Sequence, residues 1–142
     1  MCFSDKPNEQ EEKFIIDQLW DHNKQYNAVD IRSLVVTKKN DKGEIIAGLI
    51  ARTWWGGLEI QYLWVDKHHR KKGFGKQLME QAEKEAANRG CHFAYVDTFS
   101  FQAQGFYHKL GYREYGELSG FVHKYTRYFL SKKLPPQLTS TA

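Results

Sequence analysis

Cysteine is nearly absent from this sequence. Cys2 lies close to the N-terminus and Cys91 at the expected start of a strand, so neither a disulfide framework nor a zinc ribbon can be built from them. No apolar run is long enough to cross a bilayer. The polar, acidic stretch Met1–Glu12 has no apolar segment of the kind a secretory signal needs, which points to a cytoplasmic location. No internal repeat or linker divides the chain. Its 142 residues suit one domain covering 1–142, with about 1–9 and 135–142 expected as loose tails.

What the chain does have is apolar material and positive charge. At 41% hydrophobic and 15% aromatic it can bury one core. Its formal net charge is +4, which suits an anionic partner: nucleic acid, an acidic surface or a phosphorylated small molecule. The charge is concentrated in one place. Lys67, Arg70, Lys71 and Lys72 fall within seven residues ending at Gly73, with His68 and His69 between them, while many acidic residues lie in Asp5–Asp21.

Apolar spacing at Ile15, Leu19, His22 and Tyr26 predicts a helix over 10–26 with one buried face. Strands are expected at 31–38, 44–55 and 58–65, joined by turns at Asn40-Asp41-Lys42-Gly43 and Gly56-Gly57. From Gly75 the period changes to that of a helix, through Leu78, Met79, Ala82 and Ala86, with Arg89-Gly90 as its stop. A central strand over 92–98, a short helix with Ala103, Phe106 and Leu110 on one side, and a hairpin turning at Ser119-Gly120 complete the chain. The expected fold is mixed α/β (α+β): a mainly antiparallel sheet flanked by helices, in the order α-β-β-β-α-β-α-β-β. The strands at 58–65 and 92–98 are expected to be parallel.

The most informative segment runs from Val65 to Leu78. A strand ends, a basic loop follows, and Gly73 and Gly75 open a helix. Helix N-termini offer unpaired N–H groups and a positive dipole end, and glycine lets an anion approach them. The loop matches neither the P-loop nor the dinucleotide fingerprint. Spacing alone leaves two readings open, a phosphate site and a solvated basic turn.

Arg70-x-x-Gly73-x-Gly75 resembles the Arg/Gln-x-x-Gly-x-Gly/Ala signature of GNAT acetyltransferases. Downstream, Ala103-x-x-Phe106-Tyr107-x-Lys109-Leu110-Gly111-Tyr112 is similar to that family's Ala-x-x-Phe-Tyr-x-Lys-x-Gly-Phe segment. The two lie in family order within residues 58–112. One departure is Thr98-Phe99-Ser100-Phe101-Gln102, where many members carry an Asn.

The resemblance implies an N-acetyltransferase that uses acetyl-CoA as co-substrate, without a metal. It implies a pyrophosphate on the amides of Lys71, Lys72, Gly73, Phe74, Gly75 and Lys76 beside Arg70. It also implies a pantetheine arm paired along Leu63, Trp64 and Val65, the segment that would supply an oxyanion donor. Tyr107 is implied as the acid for the leaving thiolate. Glu59, 11 positions before Arg70, resembles the base of the histone-acetylating branch. The alternatives are a surface glutamate and a core tyrosine.

Adjacent histidines at 68 and 69 point in different directions and do not suggest a metal. Trp54 and Trp55 are candidates for an acceptor pocket, and His123 and Tyr125 for contact with acceptor or a second subunit. Strand alternation places Tyr62 and Trp64 on the face opposite Glu59 and Leu63.

A non-catalytic acyl-CoA sensor of the same fold is the alternative function. No helix-turn-helix, zinc finger or RNA-recognition motif supports a nucleic-acid partner, and no membrane partner is expected. The partner is an amine acceptor whose identity the sequence does not specify. In the resembled family an exposed final hairpin can support a homodimer.

Overall fold

The computed structural model describes residues 1–136, so the part of the expected C-terminal tail beyond Pro136 lies outside the described residues. The chain divides into two compact units, Met1–Asp30 and the segment from Ile31 onward. In the first, helix α1 spans Glu9–Asn23. Asn8 caps it, its side chain accepting from the N–H groups of Gln10 and Glu11, and Glu9, Glu11 and Glu12 complement the dipole in the first turn. None of its residues is buried, so the expected buried face is not found.

The second unit holds β1 (Arg32–Lys39), β2 (Ile45–Trp54), β3 (Gly57–Val65), a 3₁₀ turn (Lys67–His69) and α2 (Phe74–Asn88). It continues with β4 (Phe93–Phe99), α3 (Gln104–Lys109), β5 (Arg113–Phe121) and β6 (Tyr125–Lys133). Among the described residues, six strands form one sheet in the order β1-β2-β3-β4-β6-β5, in which only β3 and β4 run parallel. The expected element order and parallel pair are both present.

One face of the sheet makes the core. Ala47, Leu49 and Ala51 of β2, Leu58 and Ile60 of β3, and Ala94 and Val96 of β4 pack with Leu78, Met79, Ala82 and Ala86 of α2. Their helical spacing puts these four side chains on a single stripe. Burying a side chain such as Leu78 or Met79 contributes about 1.5–3 kcal/mol. α2 ends on Gly90 at φ +88, with Cys91 N–H bonded to Ala86 O and Gly90 N–H to Ala87 O. This paired closure uses glycine in the left-handed region. Tyr112, fully buried, donates its hydroxyl to Glu83 of α2 at 2.9 Å, and Lys132 of β6 meets the other Glu83 oxygen at 2.7 Å.

Two turns differ from expectation. The β2–β3 turn centres on Trp55 and Gly56, both at positive φ, and Gly57 opens β3. A Cβ on Gly57 would stand 2.7 Å from the Phe93 ring, so that glycine serves packing, not turning. The last hairpin turns at Val122 and His123, at φ +52 and +57, with Lys124 N–H bonded to Phe121 O. Ser119-Gly120 lies inside β5, where the register shifts. The glycine that looked like a turn signal forms a bulge.

Candidate active site

The site begins where β3 ends. The side chain of Asp66 caps the 3₁₀ turn through His68 N–H and bonds His69 Nδ1 at 2.9 Å. These bonds, His69 first, hold the Asp66 carboxyl below its ordinary range. They give the His69 ring a partner, while His68 contributes its backbone N–H. Among the described residues no three His, Cys, Asp or Glu side chains are grouped to hold a metal ion. Arg70 folds back, its Nε donating to Val65 O at 3.1 Å. Lys71 at φ +65 and Gly73 at φ +82 then turn the chain into α2.

The first bond into that helix runs from Gln77 N–H to Gly73 O. The amides of Phe74, Gly75 and Lys76 precede it, and no side chain caps them. Uncapped amides at the positive end of a fifteen-residue helix suit an anion. The two glycines act differently. Gly73 supplies the left-handed conformation in open space, whereas a Cβ on Gly75 would meet the Phe106 ring at 3.2 Å. The structure adds a cation the sequence did not reveal: Lys38 of β1, whose Nζ lies 5.7 Å from the Phe74 ring centroid. Nothing in the spacing of β1 links it to this loop, because only the sheet brings them together.

Beyond the loop lies a cleft. β3 and β4 pair only over Gly57–Glu59 and Phe93–Tyr95, and past that rung the ladder stops. The gap opens a cavity of about 740 Å³, to which Leu63, Trp64, Val65, Arg70 and Gly75 contribute from one side and Tyr107 from α3. The segment 62–65 is laddered to β2 on one side and has no strand partner toward β4. A bulge at Gln61, between the Ala51–Ile60 and Ile50–Tyr62 pairs, reverses the alternation. Consequently Tyr62 and Trp64 share a face with Glu59, opposite Leu63 and Val65, which pack on the core. The expectation that Tyr62 and Trp64 lie opposite Glu59 therefore fails, and the inserted residue is the reason.

Tyr107 is 5% exposed. Burial, and secondarily the charge of Asp97, push its phenol up to about 12, so the hydroxyl is neutral at ordinary pH. It takes no hydrogen bond among the described residues and is available as a donor into the cleft. Glu59 stands on the last paired rung, its Oε2 held by Arg52 Nε at 2.5 Å, and does not line the cleft. Thus the structure brings Leu63, Trp64, Val65, Arg70 and Gly75 together with Tyr107. Lys71, Lys72, Gly73, Phe74 and Lys76 form the adjoining loop and first turn, and Glu59 sits to one side.

Among the cleft residues that escaped sequence reasoning is Asp97, and Phe101 of the loop that departs from the family pattern lines the cleft as well. A charge inside the strand Phe93–Phe99 was the available signal for Asp97. Phe101 stacks on Phe99 at 5.3 Å and meets Tyr125 edge-on at 4.7 Å, which ties the cleft wall to the last hairpin. In the loop where an Asn was missing, Ser100 is tied to Thr126 by a backbone bond and by its hydroxyl. Trp54 and Trp55 line a separate aromatic pocket with Tyr95 and Tyr115. His123 lies in the hairpin turn.

A family model described as the acetyltransferase (GNAT) family matches residues 2–112. Blasticidin-S acetyltransferase of Streptomyces morookaense is 36% identical over 95 residues, covering 66% of this chain and 70% of that protein. An acetyltransferase of Agrobacterium fabrum is 35% identical over 116 residues, covering 81% and 85%. The crystal structure of an acetyltransferase from Bacillus cereus superposes with a TM-score of 0.81 at 31% identity, covering 94% of this chain and 99% of that one.

Proposed function

The chain belongs to the GNAT acetyltransferase family, whose members use acetyl-CoA as co-substrate, and we propose that it transfers the acetyl group of acetyl-CoA to a primary amine by direct attack in a ternary complex. One observation carries this reading: a single cleft joins Arg70 and Gly75, at the uncapped start of α2, to Tyr107 of α3.

The residues present fit the coenzyme. The amides of Lys71 to Lys76, with Arg70 and the lysines around them, suit a pyrophosphate. Gly73 lets the backbone turn there without a side chain in the way. The edge at Leu63, Trp64 and Val65 suits a pantetheine arm, which would lie along it as an added strand. Acetyl-CoA supplies the activated acyl carbon as a thioester.

Around that carbon the chain's own groups divide the work. A backbone N–H of 63–65 stabilises the developing oxyanion. Tyr107, kept neutral by burial, gives its proton to the departing thiolate. Glu59, which stands beside the cleft on the last paired rung, accepts the amine's proton through water.

Isothermal titration with acetyl-CoA and thiol release on addition of amines test the proposal. Saturable binding with amine-dependent thiol release is the expected result. Binding without release from any amine would indicate an acyl-CoA sensor, and absence of binding would overturn the reading.

A further inference from the structure

β4 carries one charged residue in an apolar and aromatic strand, Asp97. Charges in central strands are rare without a partner or a task. The ladder between β3 and β4 stops at the Glu59–Tyr95 rung, so Asp97, two residues further, flanks the gap on its β3 side while pairing with Phe129 of β6 on the other. It lines the same cleft as Tyr107, and its charge reaches the Tyr107 phenol. Arg127 holds both oxygens, Nε to Oδ1 at 3.0 Å and Nη2 to Oδ2 at 2.8 Å. Such a fork fixes the carboxylate's orientation. The Asp97 side chain nevertheless stays 41% exposed, open to a ligand.

Two residues back on the same face, Tyr95 enters a pocket of about 540 Å³, lined also by Trp54, Trp55, Phe93, Tyr115 and Ser131. Five aromatic residues and one serine make a slot for a flat, mainly apolar body. Two residues of extended strand, roughly 6.6 Å, separate this pocket's Tyr95 from Asp97. A fixed carboxylate at that distance from an aromatic slot is complementary to a cation joined by a short chain to a ring.

We infer that the amine acceptor is an arylalkylamine, with its ammonium on Asp97 and its ring in the pocket between Trp54 and Tyr115. The inference rests on the acetyltransferase reading above and supplies its substrate class. Asp97 binds and orients the amine, and the proton-accepting role stays with Glu59.

Tryptamine and ethylamine serve as probes in thiol-release kinetics, alongside acetyl-CoA titration and melting curves. For the wild type, KM for tryptamine lies about tenfold or more below that for ethylamine. Asp97→Asn raises both KM values about tenfold while the acetyl-CoA Kd stays unchanged, and Asp97→Glu recovers part of the loss. Tyr115→Ala raises KM for tryptamine alone. Equal KM values for the two amines, or wild-type KM in Asp97→Asn, overturn the inference. So does a protein that binds acetyl-CoA and acetylates neither amine. A protein that binds no acetyl-CoA overturns the underlying reading instead.

Discussion

Gly75 lies against the ring of Phe106, where a Cβ would stand 3.2 Å from Cζ and 3.3 Å from Cε1. Both residues line the cleft, so this contact couples the first turn of α2 to the wall built by α3. In Gly75→Ala two effects oppose each other. Alanine gains about 1 kcal/mol of helix propensity, and the added methyl displaces the ring at about 1–3 kcal/mol. The expected outcome is a Tm at or slightly below that of wild type and an acetyl-CoA affinity reduced several-fold. Full affinity by titration calorimetry would mean that Phe106 yields without disturbing the cleft.

Gly73 is a contrasting case. Nothing lies within 4 Å of where its Cβ would be, and its φ is +82. A side chain there is penalised by backbone conformation alone. Gly73→Val is expected to weaken acetyl-CoA binding tenfold or more, roughly 1.4 kcal/mol. Gly73→Asn, which enters the left-handed region more readily, should lose less. Equal affinities in all three proteins would remove this turn from the coenzyme site.

Tyr107→Phe should lower kcat and leave the acetyl-CoA Kd nearly unchanged, because the hydroxyl acts on the leaving thiolate. The pH dependence of stability gives a second check. The folded phenol is raised to about 12 from an unfolded value of about 10. A group raised on folding stabilises fully below its unfolded value and loses that contribution as pH rises through the folded one. Wild-type Tm should therefore fall more steeply than that of Tyr107→Phe between about pH 10 and 12. Parallel melting curves would place the phenol in water.

Glu83 joins the buried hydroxyl of Tyr112 to Lys132, linking α2, the start of β5 and β6. Tyr112→Phe removes a hydrogen bond to a charged acceptor and is expected to cost about 1.5–3 kcal/mol. Chemical denaturation measures it. An unchanged midpoint would show that water replaces the hydroxyl.

The Val122-His123 turn holds two non-glycine residues at positive φ, a conformation that costs about 1–2 kcal/mol per residue. Replacing the pair with Asn-Gly, the residues such turns favour, should raise Tm and leave acetyl-CoA binding intact. No gain in Tm would mean that the hairpin tip has another reason for its residues.

Spacing along the chain was enough to set the element order, the α2 stripe at Leu78, Met79, Ala82 and Ala86, and the paired glycines of the basic loop. Each of these is a local property: a side chain's direction follows from its position along a helix or strand, and left-handed backbone favours glycine at the lowest conformational cost. Tertiary structure decided what depends on neighbours distant in sequence. One extra residue at Gln61 turned Tyr62 and Trp64 onto the Glu59 face, because register is set by the partner strand and not by the strand itself. The early end of the β3–β4 ladder opened the cleft and left Asp97 at its margin beside Tyr107. A gap between two strands is written in neither of them, since it exists only where their paths diverge.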